Sequence, residues 1–142
     1  MGPTGEIFEP MGSLTHALAV EIFHEQAEAL KEGGADVLWV ETISAPEEYR
    51  AAADAAFAAA LAADPALTDA RYNRALTASQ RGDLTLARTL LQECLKRSPE
   101  HEGARATLVD VLSDLGESAE ALTVARAMTV GANFDLVVGG GG

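Results

Sequence analysis

The sequence has few of the residues on which several classes of protein depend. Its 142 residues include one cysteine, Cys94, and only four phenylalanines, two tyrosines and one tryptophan. A single cysteine excludes an intramolecular disulfide, and one thiol cannot build a cysteine-rich metal site. We expect Cys94 to be a buried, inert thiol.

Positive charge and long apolar runs are also scarce. Ten Lys and Arg stand against 22 Asp and Glu, which gives a formal net charge of −12, and the longest basic run is the pair Lys96-Arg97. Such a chain repels phosphate backbones, so no nucleic-acid partner is expected. No stretch approaches the roughly 20 apolar residues that span a bilayer, and the start resembles no secretory leader. The sequence predicts a cytoplasmic protein without a membrane partner.

The charge is unevenly distributed along the chain. Residues 1–56 hold 11 acidic and 2 basic side chains, whereas residues 57–130 hold 10 and 8. Glycine is frequent near both ends and rare in the middle. This shift indicates two parts that meet near residue 56, the second of them nearly continuous helix.

A period of 34 residues runs through the middle of the chain. Gly82-Asp83 recurs as Gly116-Glu117, and Pro65 recurs as Pro99. Glycine can take the left-handed conformation that ends a helix, and the following acidic residue can cap the next one. The period predicts stacked helical hairpins.

Residues 68–101 resemble a tetratricopeptide repeat, and a weaker resemblance extends over about 48–129. The resemblance implies a groove that binds an extended peptide or a helix. The residues expected to face this groove are Asn73, Arg74, Thr77 and Arg105. Their arginines would favour an acidic peptide end. The alternative interpretation of the hairpins is a structural spacer.

The first part of the chain has a different pattern. Residues 15–31 have the apolar spacing of an amphipathic helix, which Gly33-Gly34 ends. Residues 35–43 are rich in β-formers without strict alternation, as in a strand buried on both faces. Ser44-Ala-Pro-Glu47 then predicts a capped helix start. Helix, strand and helix in this order form a fragment of α/β architecture.

Two motifs in this part closely resemble an internal stretch of homocysteine S-methyltransferases, including the betaine-dependent ones. They are the Gly-Pro-Thr-Gly loop at residues 2–5 and the Asp-Val-Leu-Trp-Val-Glu-Thr strand at 36–42. Over residues 1–56 the resemblance implies part of a zinc-dependent TIM barrel, with active-site residues at the carboxyl ends of its strands. It implies that Glu41 contacts the amino group of homocysteine, with Gly2 and Thr4 in a ligand loop. The alternatives are a solvated strand-end carboxylate and an ordinary turn.

The departures from that family are large. Its members hold zinc with three cysteines, whereas this chain has Cys94 alone. Without zinc the homocysteine thiol is not activated as a thiolate at neutral pH. His24 and Glu28 lack the second histidine of a His-Glu-x-x-His site and predict only a surface pair. We therefore predict no catalytic residue, no metal ligand and no cofactor, zinc entering only under the methyltransferase interpretation.

These observations predict a mainly α protein of stacked tetratricopeptide-like hairpins with a short helix–strand fragment. The predicted domains are an α/β fragment at 1–44, helical repeats at 45–129, and a short strand with a glycine tail at 130–142. The predicted function is a non-catalytic interaction module for a protein or peptide. The alternative is a zinc-dependent homocysteine S-methyltransferase relative, truncated or fused and inactive alone. An unpaired strand at 35–43 predicts either a homodimer through it or poor solubility.

Overall fold

A computed structural model of the chain describes residues 1–41, 43 and 45–127. These residues form helices joined by turns and contain no strand, so the prediction of a mainly α protein is confirmed. The helices are α1 (His16–Glu32), α2 (Pro46–Ala63), α3 (Thr68–Gln80), α4 (Leu84–Arg97), α5 (Glu102–Asp114) and α6, which covers 118–127.

Helix α1 begins and ends where local sequence predicts. The Thr15 side chain accepts a hydrogen bond from the Leu18 N–H at 3.2 Å, and the N–H of Gly33 closes the last turn on Ala29. The buried residues Ala19, Phe23 and Ala27 recur every four positions and form the apolar stripe of the helix.

Contacts divide the chain within α3, into one unit of Met1–Thr77 and another that starts at Ala78. In the first unit α1 packs against α2. Fully buried Phe23 lies against Ala51, Ala52 and Ala55, whose small side chains let the two helices approach closely. Helix α2 has Ala45 as its N-cap and an early proline, while the predicted cap Ser44 lies outside the described residues.

The predicted strand at 35–43 is not supported, because residues 35–41 and 43 are not in a strand. Their side chains nevertheless alternate: Val37 and Trp39 are 74% and 70% exposed, and Leu38 and Val40 are half-buried. One face of this extended segment therefore packs and the other meets solvent. A parallel strand needs neighbouring strands on its edges, and the described residues provide none. Local β-propensity is insufficient without them.

In the second unit α4 packs against α5. The core includes Leu91, Cys94 and Leu112, each without exposed surface, so the expectation of a buried thiol is confirmed. Helix α4 is also tied to the start of α6, because Arg88 Nη1 donates to Glu117 Oε1 at 2.6 Å.

The 34-residue period recurs in the hydrogen bonds of the turns. Gly82 and Gly116 have φ of +84° and +78°, and their N–H groups donate to Ser79 and Ser113 at 2.9 and 3.0 Å. Side-chain bonds recur too: Arg71 donates to the Pro65 carbonyl, and Arg105 donates to the Pro99 carbonyl. The 34-residue period of the sequence is thus repeated in the backbone conformation and hydrogen bonds of the turns.

The predicted boundaries at residues 44 and 129 stay predictions, and the predicted strand at 130–142 lies outside the described residues. No helix in the described part of the chain combines the length and apolar character needed to cross a bilayer.

Candidate functional site

The start of the chain is paired with the extended segment after α1. The Met1 amino group donates to the Trp39 carbonyl, and the Glu41 N–H donates to the Met1 carbonyl at 3.3 Å. These two bonds flank Val40 and hold the backbone of Glu41 against the first residue of the chain. The loop that follows Met1 therefore begins next to Glu41.

The loop at residues 2–5 is anchored by side chains of both neighbouring helices. From α1, Gln26 Oε1 accepts the Gly2 N–H at 3.2 Å. From α2, Glu48 Oε1 accepts the Thr4 N–H at 2.6 Å and the Thr4 hydroxyl at 2.8 Å. Gly5 follows with φ of +79°, a conformation that favours glycine. The loop conformation is therefore fixed at three donors.

A cavity of about 550 Å³ lies between this loop and the first turn of α2. Its lining includes Gly5 and four glutamates, namely Glu6, Glu9, Glu47 and Glu48. These carboxylates give the cavity a negative potential, but Glu41, the predicted partner of the substrate ammonium group, does not line it.

The predicted substrate-binding residues have unequal surroundings. Gly2 and Thr4 are half-buried in the anchored loop, whereas the Glu41 side chain is exposed. The Thr4 hydroxyl donates to Glu48 and accepts the Glu6 N–H at 3.3 Å, so it serves the loop itself. Sequence reasoning missed Gln26 and Glu48, since each lies more than 20 residues from its loop partner.

The sequence of this chain matches a known protein family over most of its length. The sequence profile of the homocysteine S-methyltransferase family matches residues 1–132. This chain belongs to the homocysteine S-methyltransferase family. No curated protein matches it.

The family match overturns the function predicted first. A homocysteine S-methyltransferase profile covers nearly the whole chain, including the residues expected to form a peptide groove, so the non-catalytic interaction module was the wrong prediction. No family match supports the tetratricopeptide assignment.

The structure gives the groove residues other contacts. Arg74 Nε donates to Asp54 Oδ1 at 2.7 Å, and Arg105 donates to the Pro99 carbonyl. Thr77 is buried, and its hydroxyl donates to the Asn73 carbonyl at 3.0 Å. These hydrogen bonds lie within a helix or turn or, for Arg74, join α3 to α2.

The zinc that the homocysteine S-methyltransferase resemblance implies does not fit this chain's own residues. The one thiol, Cys94, is fully buried in the second unit, and the described residues contain no cluster of three His, Cys, Asp or Glu side chains suited to a metal. His24 Nε2 lies 3.3 Å from Glu28 Oε1 within α1, the surface pair expected from their spacing.

Proposed function

We propose that this homocysteine S-methyltransferase relative retains part of the substrate side of the family's active site and no methyl-transfer centre of its own. Its ligand is homocysteine, whose ammonium group pairs with the Glu41 carboxylate. The observation that supports this is the hydrogen bonding of Met1 to residues 39 and 41, since it brings the start of the Gly-Pro-Thr-Gly loop next to Glu41.

The loop and Glu41 can bind homocysteine and orient it. A carboxylate and an ammonium form a charge-assisted hydrogen bond. Because Glu41 is exposed, water screens the pair, and we expect a dissociation constant on the order of millimolar.

Methyl transfer requires chemical groups that the loop and Glu41 do not supply. The nucleophile is the thiolate of homocysteine, and an unperturbed thiol, with a pKa of about 8.5, is mostly protonated at neutral pH. A three-cysteine zinc site would need thiolates from outside these 142 residues, because they contain only Cys94. We therefore expect these residues to bind homocysteine without transferring a methyl group by themselves.

The test is a titration of the purified chain with L-homocysteine under reducing conditions, followed by ¹⁵N–¹H NMR. We expect saturable shifts of amides near Glu41 and in the loop, and at least a fivefold weaker affinity in Glu41→Gln, which keeps the shape but removes the charge. The matched control is Glu21→Gln, an exposed glutamate of α1. Equal affinities of Glu41→Gln and Glu21→Gln, or no shifts in the wild type, contradict the proposal.

A further inference from the structure

Glu48 is a buried carboxylate that the proposed binding of homocysteine does not use. It is 6% exposed although it lies in the first turn of α2, where acidic side chains ordinarily meet water. The positive end of the helix dipole favours a carboxylate there, which offsets part of the cost of burying it.

The position of Glu48 in α2 predicts a local role that its contacts do not show. With Ala45 as N-cap, Glu48 is the third helical residue, from which a glutamate commonly reaches back to the N-cap N–H. Its Oε1 instead accepts two hydrogen bonds from Thr4, 44 residues away, at 2.6 and 2.8 Å. Glu48 therefore joins the start of α2 to the Gly-Pro-Thr-Gly loop.

The loop depends on this contact in a specific way. Pro3 has no N–H, so the described donors that can hold residues 2–4 are the Gly2 N–H, the Thr4 N–H and the Thr4 hydroxyl. Glu48 accepts the last two, and Gln26 accepts the first. Hydrogen bonds to a charged acceptor are stronger than neutral ones, so Glu48 is the stronger of the two anchors.

We infer that Glu48 is a positioning residue, which acts through Thr4 to hold the Gly-Pro-Thr-Gly loop beside Glu41. The inference rests on the proposed function for its ligand, homocysteine, and on the geometry of the loop for the anchor itself. Thr4 is then a structural link between Glu48 and the loop, and not a direct contact of the substrate.

The experiment compares Glu48→Ala and Glu48→Gln in the full chain. Amide hydrogen exchange by NMR reports the Thr4 N–H directly, and we expect about tenfold faster exchange in Glu48→Ala, because a charged hydrogen bond is lost. Glu48→Gln retains an acceptor oxygen and should restore most of the protection. The matched control is Glu47→Ala, which removes the neighbouring carboxylate, whose side chain is 58% exposed.

Homocysteine titrations of the same variants test the positioning role. We expect weaker binding in Glu48→Ala, rescue in Glu48→Gln, and no change in Glu47→Ala. Thr4→Val, which lacks the hydroxyl donor, should weaken binding in the wild-type background and have little further effect in Glu48→Ala, since both changes break one link. A merely structural role of Glu48 would give additive effects and no rescue.

The possible failures are distinguishable. If the wild type does not bind homocysteine but Glu48→Ala loses the protection of the Thr4 amide, the anchor is supported and the proposed ligand is overturned. If Thr4 exchange and homocysteine affinity in Glu48→Ala equal those of Glu47→Ala, the positioning role is overturned while the proposed function stands. Unfolding of Glu48→Ala is recognised from its full amide spectrum, and the comparison then rests on Glu48→Gln and Thr4→Val.

Discussion

At the scale of single residues, the first unit contains a largely buried ion pair of Asp54 and Arg74. The Asp54 side chain is 6% exposed and lies 2.7 Å from the arginine Nε. A buried carboxylate that loses its partner keeps the cost of its own desolvation, so removing one member of such a pair costs more than the pair contributes. Arg74 thus links α3 to α2 through a largely buried ion pair.

We predict that Arg74→Met lowers the free energy of unfolding by about 2–4 kcal/mol, because the buried Asp54 carboxylate loses the hydrogen bond from Arg74 Nε. Urea denaturation followed by circular dichroism measures this change. The matched control is Arg50→Met in α2, whose partner Glu47 is 3.9 Å away and largely exposed. That substitution should change the free energy by less than about 0.5 kcal/mol. Equal effects of the two substitutions would show that burial of Asp54 is unimportant.

At the scale of secondary structure, the sequence predicted elements whose signals are local. Thr15 and Gly33 bound α1, and Gly82 with Asp83 forms the turn before α4, as their residue types indicate. The segment at 35–43 was predicted wrongly, because a strand depends on partners that lie elsewhere in the chain or outside it. The extended segment keeps the alternation of a strand without the ladder.

In the candidate site, too, features with a local sequence signal could be predicted, and contacts between distant residues could not. The Gly-Pro-Thr-Gly loop and Glu41 could be singled out from the sequence, because their residue types carry the family resemblance. Their anchors could not be, because the contacts of Gln26 and Glu48 with the loop exist only after α1 and α2 have packed together. The exposed Glu41 and the buried Glu48 are indistinguishable as letters in a sequence.

The exposed face of the segment at 35–41 predicts self-association. Val37 and Trp39 are largely solvent-exposed, and Val37 lines an apolar groove between α1 and α2. Exposed apolar surface favours contact with a second copy. Sedimentation velocity should show a concentration-dependent rise in mass that Trp39→Ser removes. Tyr49→Ser, on an aromatic that is 59% exposed in α2, is the control and should leave the association intact.

The charge of the first part opposes this association, since residues 1–56 carry 11 acidic and 2 basic side chains. Salt screens the repulsion between two acidic surfaces, so the association should strengthen between 0.05 and about 0.5 M NaCl. A monomer at every concentration and salt level, or loss of association in Tyr49→Ser as well, would rule out the exposed face as its cause.

At the scale of the whole molecule, the chain belongs to the family but lacks the cysteines that the resemblance assigns to the family's zinc site. The profile of the homocysteine S-methyltransferases extends over residues 1–132, yet the chain's one thiol is enclosed among the helices of the second unit. One buried thiol cannot take the place of the three cysteines that the resemblance assigns to the zinc site. The molecule thus retains the family's sequence character without a set of thiolates for the family's metal.

We predict that metal does not stabilise this chain. Neither an equimolar addition of zinc nor an excess of EDTA should shift the melting temperature by more than about 1 °C, because a ligand stabilises a protein only through binding to its folded state. Methyl transfer to homocysteine by the isolated chain should equal the rate without protein. Stoichiometric zinc binding that disappears in Cys94→Ala would contradict both expectations.

The recurrence of the turn geometry has a consequence for how the chain tolerates changes of length. An in-frame duplication of residues 83–116 would join Gly116 to a second Asp83, and the new junction would keep a left-handed glycine, an acidic residue after it and an alanine four positions beyond that residue. The helical part can therefore gain material in steps of one period, whereas the anchored loop near the start, whose contacts reach 24 and 44 residues along the chain, has no such freedom.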